Sequence, residues 1–383
     1  MKHPEVSPVL FEEIPCRNGK VIAVATLNVE KTLNSLSLEM IDLLFSRLTQ
    51  WQDDDRVALI VFQGAGDRAF CAGGDIQALY RSMVEHPGGP NPYAEAFFER
   101  EYRLDYLIHT YGKPLMVWGH GIVMGGGLGI FGGCSHRIGT ENSRIALPEI
   151  TIGLFPDAGA SVFLGKMPSH LAHFMALTGC QINARDALLV GLADHLIAHR
   201  EKAALLTALT EEDWGDSAAE NAIKLTGMLV TFENAEEFPA SRLQGHGEEI
   251  KVLFSGGGED NFLGEFSRGL QAISTEDQWL QRAVKTFRSG CPTTAHIVVE
   301  QLRRIQNLSL HQMFEMELTI AVQCSRHPDF TEGVRALLID KDNRPGWQFP
   351  TGEVPQDWVE EHFEEPWASG NPLEDLVPPG AAS

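Results

Sequence analysis

Three consecutive glycines, Gly125 to Gly127, stand immediately before an apolar stretch with Leu128, Ile130 and Phe131. Glycine inside a helix costs about 1 kcal/mol relative to alanine, so the run indicates a place where the backbone must approach another group closely. Glycine N–H groups beside a helix start also favour a negative charge. The run therefore predicts a close backbone contact and an anion-stabilising site.

The segment from Gly127 to Gly132 also matches the pattern GxGxxG, and Glu149 follows at about the distance of a ribose-binding acid. This pattern alone is a weak indication of a dinucleotide site. Its glycines are expected inside the apolar helix rather than in the turn before it, and Glu149 follows Pro148 instead of ending a free strand. We interpret the match as accidental.

A second pair of glycines, Gly73 and Gly74, lies between a strand-like end at Phe70 and Asp75, which can cap a following helix. Glycine permits unusual φ values and leaves the Gly74 N–H open to a ligand. The alternative is a tight strand-to-helix turn with no binding role.

Two carboxylates, Glu149 and Asp157, lie in a run that is apolar apart from its proline and glycine turns. Apolar surroundings raise the pKa of a carboxyl group, which suits a general acid or a poised base. The alternative is a pair of surface acids, since turns recruit Asp and Glu freely. The glycine segments upstream favour the chemical interpretation.

Strand-like and helix-like stretches alternate over the first two hundred residues, which predicts an α/β core with a largely parallel sheet. Strands are expected over 21–26, 58–63 and 114–118, and helices over 37–51, after Asp75, and over 169–177 and 183–190. The expected N-caps are Ser37, Asp75, Ser169 and Asn183, and Gly179 is an expected helix end. Strand signals then become rare, and helices are predicted over 218–230, 240–254, 275–287, 296–305 and 311–323, with a loop at 255–258. From Pro345 onward an extended strap or tail is expected.

Composition limits the class of protein. The net charge of −22 argues against nucleic-acid binding, because phosphates need a basic surface. No apolar run is long enough to span a bilayer, and the first residues do not resemble a signal or transit peptide. The six cysteines are scattered without metal-ligand spacing, which indicates buried thiols and a reducing compartment. We therefore expect a cytoplasmic location and no metal.

The chain resembles the enoyl-CoA hydratase/isomerase (crotonase) superfamily from about Gly19 to Trp347. The resemblance rests on residues 31–36, 70–76, the glycine run, 148–159, 177–179 and 191–195. Residues 101–104 and 330–342 are similar to the branch that hydrolyses 3-hydroxyacyl-CoA thioesters. The resemblance implies a spiral of ββα units over 10–205, a helical region packing on this core over 206–345, and a strap or tail over 346–383.

The resemblance also assigns site residues. The two oxyanion-hole N–H donors of the superfamily fall on Gly74 and Gly126. The first catalytic glutamate of hydratases falls on Gly129, which has no side chain, and the second falls on Glu149. Asp157 stands where many hydratases have glycine. These differences imply thioester cleavage rather than water addition, with 3-hydroxyisobutyryl-CoA of valine breakdown as the leading substrate.

The resemblance implies an acyl-CoA substrate and no separate cofactor. Residues expected to bind the CoA part are Lys31, Arg68, Ala72, Asp75 and Ile76. For the two basic residues the alternative is a solvated surface cation. His120 is expected to pack and hold its loop rather than to catalyse. No nucleic-acid or membrane partner is expected, and a homo-oligomer is left open because trimers are common in the superfamily.

Three other functions stay open. An enoyl-CoA isomerase needs an oxyanion hole and one carboxylate at the position of Glu149, although Asp157 and the segment 330–342 favour the hydrolase. A hydratase is disfavoured by Gly129. A non-catalytic acyl-CoA-binding protein can have the same fold, because fold does not fix function. Within the hydrolase reaction, Glu149 either attacks the thioester or activates a water, and the sequence does not choose between these routes.

Overall fold

A computed structural model describes residues 7–254, 262–273 and 275–376 of the chain. The loop predicted at 255–258 lies outside the described residues. The strands are β1 (Val9–Pro15), β2 (Val21–Leu27), β3 (Val57–Gly64), β4 (Ala69–Cys71), β5 (Leu115–Gly119), β6 (Ile122–Met124), β7 (His136–Gly139), β8 (Arg144–Ala146) and β9 (His195–Leu196).

The helices outnumber the strands. They are α1 (Leu38–Asp53), α2 (Ile76–Glu85), α3 (Pro92–His109), α4 (Gly126–Gly133), α5 (Ala160–Leu164), α6 (Ser169–Thr178), α7 (Ala184–Leu189), α8 (Lys202–Glu211), α9 (Ala218–Phe232), α10 (Arg242–Gly245), α11 (Gly247–Val252), α12 (Phe262–Ala272), α13 (Gln278–Ser289), α14 (Pro292–Arg304), α15 (Leu310–Arg326), α16 (Pro328–Val334) and α17 (Gln356–Glu361). Short 3₁₀ turns include Glu30–Thr32 and Glu149–Thr151, and Arg335–Ile339 is a π-helical turn. None of the described helices combines the length and apolarity that crossing a bilayer requires.

The strands form two sheets. Six strands pair in the order β1-β2-β3-β5-β7-β9, and β4, β6 and β8 form a second sheet. Only β1 and β2 pair antiparallel within the larger sheet, whose other neighbours are parallel. From β3 onward, successive strands enter the larger and the smaller sheet in turn, and each such pair is followed by at least one helix. The predicted α/β class with its ββα order is confirmed.

The chain folds into two compact units, each made of three separate stretches. Of the described residues, the first unit contains those up to 74, 103–145 and 183–241, and the second contains 75–102, 146–182 and those from 242 onward. In the first unit, apolar side chains of the larger sheet such as Ile22, Leu59 and Trp118 form a core with Leu205 of α8 and Leu225 of α9. The division at residues 205 and 345 stays a prediction.

The second unit is largely helical. Its aromatic side chains join the helices: the rings of Phe174 and Trp279 are 5.9 Å apart between α6 and α13, and those of Phe266 and Phe287 are 5.1 Å apart between α12 and α13. Among the described residues no strand follows β9, which agrees with the predicted loss of strand signals.

Several predicted caps are confirmed. The Oγ atom of Ser37 accepts the Met40 N–H, and Oδ1 of Asp75 accepts the Ala78 N–H. Asn183 and Asp186 form a reciprocal capping box at the start of α7. Gly179 ends α6 with φ of +57°, the left-handed conformation that glycine adopts at least cost.

Other expectations about helices were wrong in detail. Pro168, not Ser169, is the N-cap of α6, and the Ser169 hydroxyl lies 3.3 Å from Nδ1 of His173 instead. The single helix predicted over 240–254 is divided into α10 and α11, because the chain turns at His246 between two glycines. The stretch after residue 345 contains α17, which the sequence did not predict.

Candidate active site

The two glycine segments lie against each other in the first unit. Strands β4 and β6, which lead into them, pair in parallel. Gly73 has φ of +106° and Gly125 has φ of +50°, backbone conformations that residues with a side chain rarely adopt. A Cβ atom on Gly73 would lie 3.4 Å from the Met124 carbonyl oxygen and 3.8 Å from the Gly126 nitrogen. Gly74 and Gly126 therefore come from adjoining loops.

The glycine run has a steric cause. Gly126 is the first residue of α4, so its N–H has no partner inside the helix. A Cβ atom on Gly127 would lie 2.5 Å from the Cys71 carbonyl oxygen, so only glycine lets α4 approach β4 this closely. The predicted close backbone contact is confirmed. Gly127 and Gly129 of the GxGxxG match lie inside α4, as the accidental interpretation requires.

Two of the residues predicted to bind CoA lie on linked loops of the first unit. Lys31 is exposed in the 3₁₀ turn Glu30–Thr32, and Arg68 is exposed just before β4. Asn34 ties these loops together, because its Nδ2 atom donates 3.0 Å hydrogen bonds to the carbonyls of Ala65 and Ala69.

The other predicted CoA residues follow directly along the chain. The Ala72 N–H donates to the Leu33 carbonyl at 3.1 Å, which joins it to the loop of Lys31. Asp75 and Ile76 are half-buried, one as the N-cap and the other as the first residue of α2. The binding role of all five residues stays a prediction.

Glu149 and Asp157 are both buried in the second unit, with side chains only 4% and 8% exposed. Burial, reinforced by the charge of Asp157, holds the pKa of Glu149 well above its usual range. Burial also raises the pKa of Asp157 to about 6 against the opposing effect of a hydrogen bond from Tyr102. The predicted rise is confirmed, and the interpretation as surface acids is wrong.

Glu149 has a free hydrogen-bonding atom. It lies in the 3₁₀ turn Glu149–Thr151, and its buried Oε2 atom has no hydrogen-bond partner among the described residues. An unpartnered buried carboxyl oxygen is costly for the fold, and such groups concentrate at sites that act on a ligand.

Tyr102 and Glu101 of α3 complete the group around Asp157. The Tyr102 hydroxyl donates a 2.7 Å hydrogen bond to Oδ2 of Asp157. Burial, with the nearby charge of Asp157, raises the pKa of Tyr102, so it remains a neutral donor. Burial and the Asp157 charge likewise raise the pKa of Glu101, and its Oε1 atom has no hydrogen-bond partner within the described part of the chain.

The sequence alone assigned no role to Tyr102 or Glu101. Residues 101–104 carried part of the resemblance, yet nothing local to α3 showed which side chains point toward Asp157. It also missed Glu317 and Gln301, whose side chains bond to the turn around Asp157 from more than a hundred residues away.

His120 and the cysteines have the structural roles that the sequence predicted. The His120 ring is buried, and its Nε2 atom lies 2.8 Å from the Gly66 carbonyl oxygen, so it holds that loop. All six cysteines are buried thiols that form no disulfide bond. In the described ranges, no three or more His, Cys, Asp or Glu side chains are grouped so that they could hold a metal ion.

The chain is similar to known proteins over most of its length. The family model for enoyl-CoA hydratase/isomerase matches residues 22–363. A mitochondrial 3-hydroxyisobutyryl-CoA hydrolase of Danio rerio is 34% identical over 361 residues, covering 93% of this chain and 89% of that protein. The protein of the same name from Homo sapiens is 33% identical and covers 94% of this chain and 90% of its own length.

Solved structures give the same result for the fold. An enoyl-CoA hydratase from Rhodobacter sphaeroides superposes with a TM-score of 0.80 at 30% identity, covering 94% of this chain and 98% of that one. A carnitinyl-CoA dehydratase from Mycobacterium thermoresistibile superposes with a TM-score of 0.82 at 29% identity, covering 97% and 100%. By sequence and by fold, the chain belongs to the enoyl-CoA hydratase/isomerase family.

Proposed function

We propose that the chain hydrolyses a short 3-hydroxyacyl-CoA thioester, with 3-hydroxyisobutyryl-CoA as the leading substrate and valine breakdown as its setting. The observation that carries the proposal is the buried group formed by Glu149, Asp157 and Tyr102, in which both carboxyls have raised pKa values. The relatives named 3-hydroxyisobutyryl-CoA hydrolase support it. Gly129 offers no second glutamate for the usual addition of water to a double bond.

In this reaction the thioester carbonyl accepts hydrogen bonds from the N–H groups of Gly74 and Gly126. These donors stabilise the oxyanion that develops when the carbonyl is attacked, and each contributes about 3 kcal/mol to the transition state. The adjoining glycine loops support this role, because a backbone donor needs no rearrangement when the charge appears.

Glu149 supplies the attacking group by one of two routes. Its carboxylate attacks the carbonyl and expels CoA thiolate, leaving an acyl–enzyme anhydride that water then cleaves. Alternatively, it removes a proton from a water molecule that attacks directly. A carboxyl with a raised pKa is the stronger base when ionised, which suits both routes. Asp157 orients the 3-hydroxyl or the water, or transfers the proton.

We propose Lys31, Arg68, Ala72, Asp75 and Ile76 as the residues that bind the CoA part of the substrate, with no separate cofactor. The exposed cationic side chains of Lys31 and Arg68 support this role, because the CoA part carries phosphates. A cytoplasmic location stays a prediction, which the mitochondrial names of the relatives do not support. Oligomerisation stays open.

An enoyl-CoA isomerase is the second candidate, because the family includes isomerases and one carboxylate at Glu149 suffices for proton transfer. Asp157 argues against it. It is buried, and its charge helps to raise the pKa of Glu149. Such an unfavourable pair is expected where two carboxyls take part in one reaction.

Release of free thiol from a panel of CoA thioesters tests the proposal. The panel contains 3-hydroxyisobutyryl-, 3-hydroxypropionyl-, crotonyl- and 3-enoyl-CoA, and a thiol-reactive dye reports CoA. Rapid release from the hydroxyacyl esters supports the hydrolase and ranks its substrates. Double-bond migration in the 3-enoyl ester without thiol release would replace the proposal with the isomerase, and neither signal would favour a binding protein.

A further inference from the structure

The turn that carries Asp157 has an unusual backbone. Ala158 has φ of +53° and Gly159 has φ of +81°, so two consecutive residues are left-handed. Ala158 carries a Cβ atom and is strained in this conformation, which persists only where the surroundings enforce it. Gly159 is the N-cap of α5 but has no side chain with which to cap it. The turn therefore needs hydrogen bonds from elsewhere in the chain.

Glu317 of α15 supplies two of them. Its Oε2 atom accepts a 2.7 Å hydrogen bond from the Gly159 N–H, and its Oε1 atom accepts a 2.8 Å bond from the Ser161 N–H. The Glu317 side chain is fully buried. The Glu317 carboxylate thus takes the place of an N-cap side chain for α5, although Glu317 lies more than 150 residues further along the chain.

Gln301 of α14 holds the other side of the same turn. Its Nε2 atom donates to the Pro156 carbonyl at 2.8 Å and to the Ser161 hydroxyl at 3.0 Å. Gln301 is also fully buried. Hydrogen bonds therefore hold the residue just before Asp157 and the residues just after the strained Ala158.

Helix α15 also contacts Tyr102, the residue that donates a hydrogen bond to Asp157. Phe314 lies three residues before Glu317, on the same side of the helix, and its ring centroid is 6.4 Å from that of Tyr102. Tyr102 donates its hydroxyl hydrogen to Asp157. One helix thus contacts both the donor of this hydrogen bond and the turn that carries its acceptor.

We propose that Glu317 and Gln301 are positioning residues for the Asp157 carboxylate. They hold the strained turn so that the carboxylate stays hydrogen-bonded to the Tyr102 hydroxyl. They therefore act through Asp157 rather than on the substrate. The inference rests on the proposed function, because it makes this geometry a requirement of hydrolysis and not only of folding.

Glu317→Gln tests the inference, because the amide keeps the shape of the side chain but turns one acceptor into a donor that faces an N–H group. We expect kcat to fall on the order of 10- to 100-fold, as small misplacements of reacting groups do, with KM changed by less than about threefold. A lowered melting temperature with the kcat of the wild-type protein would overturn the inference and leave Glu317 as a fold-stabilising residue.

Asp329→Asn is the matched control. Asp329 is a buried carboxylate of the same unit that accepts hydrogen bonds from the Thr293 hydroxyl and the Gln348 N–H. We expect this variant to lose thermal stability while kcat remains within about twofold of wild type. An equal loss of kcat in both variants would mean that general loosening of the unit explains the effect, which overturns the inference.

A second variant covers the case in which Glu317→Gln does not fold. Gln301→Met removes both hydrogen bonds of the amide without changing the charge of the region. We expect a smaller fall in kcat in the same direction, again with KM little changed. Wild-type kcat in a folded Gln301→Met protein would overturn the inference.

The pKa of Asp157, measured by ¹³C NMR of its carboxyl carbon, tests the inference without an activity assay. Burial raises the pKa of Glu317 itself to about 7, so removing its charge alone lowers the pKa of Asp157 or leaves it unchanged, whereas loss of the Tyr102 hydrogen bond raises it. A rise in Glu317→Gln supports positioning, and a fall or an unchanged pKa contradicts it. If the wild-type protein releases no thiol from any thioester, the proposed function fails, and this titration still tests the positioning of Asp157.

Discussion

The Tyr102 hydroxyl donates a 2.7 Å hydrogen bond to Oδ2 of Asp157, and both side chains are buried. Burial raises the pKa of Asp157 to about 6, and this hydrogen bond limits the rise. The protonation of Asp157 therefore depends on one neutral donor, which leads to a test by a single-atom change.

Tyr102→Phe removes that donor and keeps the ring. Because the hydrogen bond favours the ionised form, its loss should raise the pKa of Asp157 further, on the order of one unit. The acid limb of kcat/KM against pH should move upward by the same amount, since the proposed reaction uses the carboxylate. Rates of thiol release between pH 4 and 9 measure this, and an unmoved acid limb would contradict it.

Glu149→Gln should abolish thioester hydrolysis, with a loss of kcat on the order of 10³-fold or more, because an amide neither attacks nor takes a proton. Binding of a non-hydrolysable thioether analogue of the substrate, measured by calorimetry, should change little. Glu353→Gln, at an exposed glutamate, is the control and should retain full activity. Wild-type turnover by Glu149→Gln would exclude the proposed mechanism.

Asp157→Asn separates the hydrolase from the isomerase. The amide oxygen can still accept the Tyr102 hydrogen bond, so the substitution mainly removes the charge. Thiol release should fall on the order of 10²-fold or more. If 3-enoyl-CoA is isomerised at the same rate by the variant and the wild-type protein, the one-carboxylate mechanism is favoured instead.

Gly127→Ala should destabilise the fold by about 1–3 kcal/mol or more, because its Cβ atom would lie 2.5 Å from the Cys71 carbonyl oxygen. The matched control is Gly227→Ala in α9, where the added Cβ atom would meet nothing within 4 Å apart from its chain neighbours and the backbone of its own helix. That change should stabilise the protein by about 0.5–1 kcal/mol, since alanine favours a helix. Urea unfolding measures both free energies, and equal effects would refute the close approach.

His362→Gln tests a source of acid sensitivity. The ring of His362 is 1% exposed and lies 4.1 Å from that of His327, and burial lowers its pKa from 6.5 to about 3. Between these values the unfolded chain binds a proton that the folded chain does not. The contribution of the neutral His362 ring to the free energy of unfolding is therefore complete above pH 6.5. It is lost as pH falls toward 3, at about 1.4 kcal/mol per pH unit.

In the Gln variant, the free energy of unfolding should depend less steeply on pH between 4 and 6. Urea unfolding at several pH values in this range gives both slopes. Parallel curves for the two proteins would show that His362 does not titrate as described.

The sequence predicted well those features that depend on neighbouring residues. Ser37, Asp75 and Asn183 are caps because a side-chain oxygen accepts a hydrogen bond from the N–H three positions ahead, and this relationship can be read from the chain. The apolar surroundings of Glu149 and Asp157 were also visible locally. The helix predicted over 240–254 failed because the turn at His246 depends on backbone conformations that apolar spacing does not encode.

The parts that the sequence could not predict are contacts between distant residues. Glu317 looks like any acidic residue of an amphipathic helix, and only the folded chain places it on the N–H groups of Gly159 and Ser161. Tyr102 belongs to α3, where neighbouring positions gave no sign of a partner 55 residues later. Identifying such residues requires the packing of helices whose order in space is not a local property.

The two compact units alternate along the chain, and this has a consequence for the order of folding during synthesis. The first unit needs residues up to 241, and the second begins at residue 75, so neither can be completed from an early N-terminal segment. Each must close loops over inserted stretches of the other, which delays its long-range contacts. While the chain emerges from the ribosome, the apolar strands of the first unit are therefore expected to stay exposed, a condition that favours chaperone binding.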